Sequence, residues 1–431
     1  MLMNFMNVAL VLVLQVLLAI AIHTSADESF DVRQYLSTVM RYGIVKDISD
    51  DSFVPSQNLD QCTPIHLNLV ARHGTRAPTK KRIRELEALA GRLEVLVRDA
   101  KEQKQSLDKI PAWLRGWSSP WKGKRTGGEL ISEGEDKLYH LGVRVREQFP
   151  DLFSEEYHSD IYSIKATQVP RASASAVAFG MGLFSGKGKL GPGGHRAFAV
   201  TSDIVLRFHD CCQSYKAFRK SQEPTVKKLK EPTLDEISHE LVRRYGLNFT
   251  KQDVSSLWFL CKQEASLLNI TNQACSLFSP AEVLTGKVGT EFVIKFLCWN
   301  MLLEDVIQSM EQAIKAKEGY APGSFEKARS RLRFAHAETL LHFSCLIGLA
   351  LGESGFTGCD VHASNLKEGC NSSDSCPFEA FKKRIVVPHL KQDYNALCNV
   401  NYERKEKGSA PTASVIDARL LLTDNIRVMN L

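Results

Sequence analysis

The chain reads as an α/β protein, and three kinds of stretch carry that reading. Residues 65–70 (Ile-His-Leu-Asn-Leu-Val) alternate apolar and polar side chains as a half-buried strand does. From about residue 79 to 105, apolar residues recur at helical spacing: Ile83, Leu86, Leu89, Ala90, Leu93, Leu96 and Val97. Further strand-like runs fall at 160–167 and 197–200, while residues 204–320 carry mainly helical patterns, clearest at 234–245 and 291–314. Strands alternating with helices in the first half predict a sheet flanked by helices. The middle of the chain is predicted to be mainly helical. Within it, residues 216–231 are basic and contain prolines, and read as a solvated connection.

With 431 residues, 44% of them hydrophobic and 24% charged, the chain suits one large or two modest domains. Its first residues stand outside that fold. Residues 8–22 form an apolar run broken only by Gln15, followed by small and polar residues up to Ala26. Such a run is short for a membrane span and fits the core of a signal peptide cleaved after Ala26. Residues 1–7 hold no Lys or Arg, so a retained anchor is the alternative. No second long apolar run follows, which predicts no membrane association once the signal is removed. Export is also what the 11 cysteines suggest, since they lack the paired spacing of a metal site. Cys370 with Cys376 and Cys261 with Cys275 are the candidate disulfides, and the odd count leaves at least one thiol unpaired or bridged to another chain. Acceptor sequons occur at Asn248, Asn269 and Asn371. The expected location is the secretory pathway, then the extracellular space or a vacuole.

Chemistry concentrates at residues 71–78, Ala-Arg-His-Gly-Thr-Arg-Ala-Pro. The octet places one imidazole, His73, between the guanidinium groups of Arg72 and Arg76, on the loop joining the first strand to the first helix. Helix N-terminal amides and two fixed cations would there converge on one point, as a phosphoryl group requires. A neutral imidazole is a competent nucleophile, and attack on a phosphate ester gives a phosphohistidine. Arginine neutralises the phosphate oxygens bidentately, so neither a metal nor any other cofactor is called for.

Arg72-His73-Gly74-Thr75-Arg76-Ala77-Pro78 resembles the signature of the histidine acid phosphatases, and within them the multiple inositol polyphosphate phosphatase group, which includes plant phytases. A second motif of that group stands at His336-Ala337-Glu338-Thr339. The run from Gln168 to Ala176 resembles the segment that gives the family a third pocket arginine, Arg171. Residues 128–142 fit as well. The resemblance implies the histidine phosphatase fold, an α/β core formed by residues 27–203 and 321–431 with a helical cap at 204–320. It implies His73 as nucleophile, Arg72, Arg76 and Arg171 as phosphate ligands, and His336 as a donor to a phosphate oxygen. Glu338 would protonate the leaving alkoxide and then activate water. The implied activity is metal-independent hydrolysis of inositol polyphosphates, phytate and lower esters included, with 2,3-bisphosphoglycerate also allowed.

Charge points to the same substrate class. The formal net charge is +6, and Lys80 and Lys81 follow the octet directly, as candidates for holding phosphates that are not being cleaved. Lys122, Lys124 and Arg125 form a second basic group beside Trp117 and Trp121. The basic residues are not interleaved with stacking aromatics in a recognisable fold, which argues against nucleic acid as a partner. Residues 352–375 are rich in Gly, Ser, Asn and Asp and read as loop. Relative to the family, the chain is short between residues 349 and 369. That leaves open a shortened, catalytically impaired form that binds polyanionic phosphates without turnover. A phosphotransferase of the mutase type shares the Arg-His-Gly device and is a further alternative, opposed by the export features.

Overall fold

A computed structural model of the chain describes residues 30–36, 63–184 apart from 125, 199–200, 203–284, 300–318, 329–347 and 377–383, with residues 39, 387 and 398. The expected signal segment, Arg125, Asn371, the Cys370–Cys376 pairing and the loop at 352–375 lie outside the described residues.

Among the described residues, four parallel strands form the sheet: β1 (Leu67–Arg72), β2 (Tyr162–Ala166), β3 (Ala199–Val200) and β4 (Ser330–Ala335), in the order β1-β4-β2-β3. The last strand in sequence is thus inserted between the first two. Its own sequence, Ser-Arg-Leu-Arg-Phe-Ala, explains how. Leu332 and Phe334 face one side and join a core with Tyr162, Ile164, Leu138, Phe179 and Leu183. This core is closed by helices α2 (Ser132–Gln148) and α3 (Pro170–Phe184). These two helices approach closely because glycines meet at their crossing. A Cβ on Gly142 would lie 2.2 Å from the Phe179 carbonyl oxygen, so larger residues there would force the helices apart.

The opposite face of β4 carries Arg331 and Arg333. Arg333 is fully buried and is held by Asp305 of helix α6 (Asn300–Lys317), with its Nε 2.6 Å from Oδ2 and its Nη1 donating to Asn68 Oδ1 at 2.8 Å. Arg331 reaches the same carboxylate at 2.9 Å and Gln312 at 2.7 Å. A buried guanidinium needs such pairing, because an isolated charge in the interior is far too costly.

Helix α1 (Lys80–Glu102) buries Ile83, Leu86, Leu89, Leu93, Leu96, Val97 and Ala100, the stripe that the periodicity marks. It is capped by Thr79, whose hydroxyl accepts from the Arg82 amide. That stripe packs against the helical middle of the chain, α4 (Gln213–Tyr245) and α5 (Lys251–Gln263), through Ile237, Leu241, Val254, Leu257 and Leu260. Disulfides Cys261–Cys275 and Cys212–Cys398 are formed, the first as expected from sequence and the second not.

Two sequence expectations need adjusting. The first strand spans Leu67–Arg72, two residues beyond the alternation at 65–70, because backbone pairing with β4 continues through Arg72↔Ala335. Residues 216–231 are helical, part of α4 despite Pro224 and Pro232. In a helix the carbonyls that lose a donor to these prolines belong to Lys220 and Lys228. Both residues are exposed, so water can satisfy them.

Candidate active site

The register of the sheet assembles the site. Arg72 pairs with Ala335, so the residues that follow each strand, His73 and His336, leave the sheet side by side. The His73 amide donates to the Ala335 carbonyl at 3.0 Å, extending the ladder one residue beyond β1. From the far side of β4, Thr167 donates its amide to the Phe334 carbonyl and sets its hydroxyl 3.0 Å from His336 Nε2. The ring centroids of His73 and His336 are 5.5 Å apart. A crevice outside the carboxyl ends of parallel strands is where open α/β sheets bind ligands.

The loop after β1 is fixed from several directions. The Gly74 amide donates to Ser175 Oγ at 2.9 Å, and that hydroxyl donates to the Arg171 carbonyl at 2.7 Å. Lys137 Nζ reaches Thr75 Oγ1 at 2.8 Å, and the Ile131 amide donates to the Thr75 carbonyl. Arg76 is bridged to Leu130. Gly74 passes so close to α2 that a Cβ would lie 2.2 Å from the Gly134 oxygen. Only glycine fits there.

His73 is 6% exposed and its tautomer is set by geometry. Its Nδ1 lies 2.8 Å from the Gly74 carbonyl oxygen, which can only accept, so Nδ1 carries the proton. The lone pair therefore sits on Nε2, where the Nε–H of Arg171 donates at 3.0 Å. Arg171 occupies the first turn of α3, just after Pro170. Burial, then the charges of Arg72, Arg171 and His336, hold the His73 imidazole down to about 2, against its bond to Gly74. His336 is held down to about 4 by burial first, then by Arg171 and His209. Both rings are neutral over the ordinary pH range.

Arginines outnumber carboxylates. Burial lowers Arg171 to about 10, and the nearby Arg76, Arg207 and Arg72 add to that. Arg76 is lowered by burial and raised by Glu338. Glu338 stands in the first turn of helix α7 (Ala337–Leu346), where amides and the helix dipole favour a carboxylate. Burial pushes its carboxyl up, but its own amide and the charges of His209, Arg72 and His336 outweigh this and lower it. The arrangement joins an unprotonated nitrogen, several guanidinium groups and one carboxyl in a half-enclosed place. That is what transfer of a phosphoryl group needs.

The structure thus gathers Arg72, His73, Arg76, Arg171, His336 and Glu338 into one cluster. Lys80 and Lys81 are exposed in the first turn of α1, and Lys80 acts electrostatically on Glu129. Asn248 and Asn269 are exposed, the latter accepting from Arg33 Nη1 at 3.1 Å. Sequence reading missed Thr167 and Ser175, which hold the loop and His336. It also missed Arg207, which precedes the single turn Phe208–Cys211, and His209 within that turn, both of which belong to the cluster. No spacing signal marked them; they arrive by tertiary packing alone.

A family model, the histidine phosphatase superfamily (branch 2), matches residues 65–287. The chain belongs to the histidine phosphatase superfamily, branch 2. A Homo sapiens relative named multiple inositol polyphosphate phosphatase 1 is 25% identical over 357 residues, covering 76% of this chain and 69% of its own. Its namesake from Gallus gallus is 27% identical over 304 residues, 67% of this chain and 64% of its own. Among solved structures, the phytase from D. castellii superposes with a TM-score of 0.50 at 15% identity, covering 79% of this chain and 82% of that one. This last likeness is one of fold. The α/β architecture read from the sequence is that of the histidine phosphatases. Among the described residues, no helix is long and apolar enough to cross a membrane.

Proposed function

We propose that this chain is a phosphomonoesterase that hydrolyses inositol polyphosphates, phytate and its lower esters, through a phosphohistidine on His73. The observation that carries the reading is the state of His73: Nδ1–H donated to the Gly74 carbonyl and Nε2 unprotonated beside Arg171. The nitrogen is available for attack without prior loss of a proton, and remains so in acid because the imidazole is held down to about 2.

In this mechanism Arg72, Arg76 and Arg171 bind the oxygens of the scissile phosphate in place of metal ions. Arg171 must turn its Nε–H from His73 to a phosphate oxygen for the lone pair to reach phosphorus. As the N–P bond forms and the P–O ester bond breaks, Glu338 passes its proton to the leaving alkoxide. His336, oriented by Thr167, donates to a phosphate oxygen from its ring. Water then attacks phosphorus while the Glu338 carboxylate takes its proton, the N–P bond breaks, and the starting protonation is restored. The bound phosphate supplies negative charge that raises Glu338 toward its acid form.

The polyphosphate substrate is supported by the names of the relatives and by the cation excess of the site. Lys80 and Lys81 are assigned to phosphates outside the scissile position. We read residues 204–320 as the cap over a core formed by 27–203 and 321–431. Two disulfides and exposed Asn248 and Asn269 support the secretory pathway as its location.

The test is phosphate release from phytate by the secreted, glycosylated protein, with chelator present and His73→Ala as control. Release that is unaffected by chelator and vanishes in the variant is expected. A folded wild-type protein that binds phytate tightly and releases nothing would favour binding without turnover.

A further inference from the structure

His209 is a buried imidazole that the mechanism above does not use. It is 6% exposed and lies in the single turn Phe208–Cys211. The turn is secured on both sides. Thr339 of α7 donates its hydroxyl to the Leu206 carbonyl at 2.8 Å, and Cys212 is tied to Cys398. The ring stands edge-on to His336, with centroids 5.7 Å apart and planes at 88°. Among the described residues nothing hydrogen-bonds its buried Nδ1, and its Nε2 is 3.7 Å from Asp210 Oδ2. Such a costly placement is unexplained by packing, which an apolar ring would serve without the orphaned nitrogen.

We propose that His209 is a positioning residue that acts through its neighbours, bracing the ring of His336 and setting a titratable charge beside the Glu338 carboxyl. The inference rests on the reading of Glu338 as the proton donor. The charges facing His209 come from three directions. Glu338 and His342 lie on α7, and Arg207 and Asp210 flank it on its own turn. His336 follows β4, and Arg171, which acts on His336 as well, comes from α3. Burial lowers the His209 imidazole, while Glu338 and Asp210 raise it, so its charge appears in acid. A cation there stabilises the Glu338 carboxylate. A neutral ring lets Glu338 keep its proton to higher pH.

The variants His209→Phe and His209→Lys separate this from mere packing. Phenylalanine keeps the ring and removes the charge, so the basic limb of the kcat/KM profile should move up, by about half a pH unit or more for a charge at this range. Lysine should move it down. A profile that loses amplitude with both limbs unmoved, in variants whose thermal melting matches wild type, would overturn the proposal. Titration of Glu338 by carbon-13 NMR in the unliganded protein gives a second readout that needs no turnover. A midpoint raised in His209→Phe supports the proposal even if no ester is cleaved, and an unchanged midpoint refutes it even if one is.

Discussion

Buried polar groups are handled in opposite ways at the ends of the sheet and in the helical segment 213–284. In the helical segment the carboxyl groups of Asp253, Glu282 and Glu264 are each matched or neutralised. Thr250 and Asp253 form a reciprocal cap on α5, with Arg92 on the same carboxylate. Arg244 meets Glu282 at 2.5 Å. Glu264, almost wholly buried, accepts from the Ala274 amide and is pushed up to about 7 by burial, so it sits protonated in acid. At the sheet ends the same burial leaves two neutral imidazoles and more guanidinium groups than carboxylates. A region built for stability closes its electrostatic accounts internally, whereas one built for an anion leaves them open until the anion arrives.

The sharpest way to break the contrast is at the open end. His73→Ala should reduce phosphate release from phytate by about 10⁴-fold or more, since removing a nucleophile abolishes the two-step path. An active variant with wild-type rates would move the chemistry elsewhere. Glu338→Gln should cost about 10²–10⁴-fold, the usual range for general acid–base help. Esters with good leaving groups such as p-nitrophenyl phosphate should be less affected, because their alkoxide needs no proton. Equal losses in kcat/KM, which reports only the step that expels the leaving group, would argue against the assigned role as acid.

At the closed end, effects should fall on stability. Cys261→Ser with Cys275→Ser opens a loop whose ends are 14 residues apart. Loop entropy sets the loss at about 3 kcal/mol. Urea unfolding should show it, with kcat on phytate held near wild type; a collapse of kcat at full folding would join the two regions functionally. The regions should also titrate oppositely. His336, low in the folded state, contributes stability that is lost as pH falls from 6.5 toward about 4. Glu264, high in the folded state, contributes stability that is present below 4.5 and lost as pH rises toward about 7. Each pKa unit amounts to about 1.4 kcal/mol. Glu264→Gln should therefore gain on wild type between pH 5 and pH 7 in urea midpoints, and parallel curves would contradict the assignment. The smallest expected effect is that of Lys80→Ala with Lys81→Ala. It should be a rise in KM for phytate of about three- to tenfold, as for exposed charges in ionic screening, with p-nitrophenyl phosphate unmoved.

The legible parts of this molecule are those where local pattern and chemistry coincide. The octet at 71–78 sits between a period-two run and a period-3.6 run, so the loop position of His73 followed from both flanks. The apolar stripe of α1 matched its buried face almost residue for residue. Strand β4 was not legible, because its alternation puts arginines on a buried face, where partners distant in sequence, Asp305 first among them, make that tolerable. The first part of helix α4, residues 216–231, was hidden by its prolines, whose lost hydrogen bonds fall where water replaces them, whereas 234–245 was read as helix. His209 and Arg207 were illegible because their role comes from the packing of one short turn against α7.

One contact also bears on selectivity. With no ligand bound, the lone pair of His73 is already engaged by Arg171. The free protein should therefore resist acylating reagents such as diethyl pyrocarbonate at this ring, although the imidazole is deprotonated. Only a ligand with enough negative charge to draw the guanidinium aside uncovers the nitrogen. On the proposed role of His73, neutral esters that would otherwise fit would meet a nitrogen that is occupied, so charge would be sorted before any bond is made.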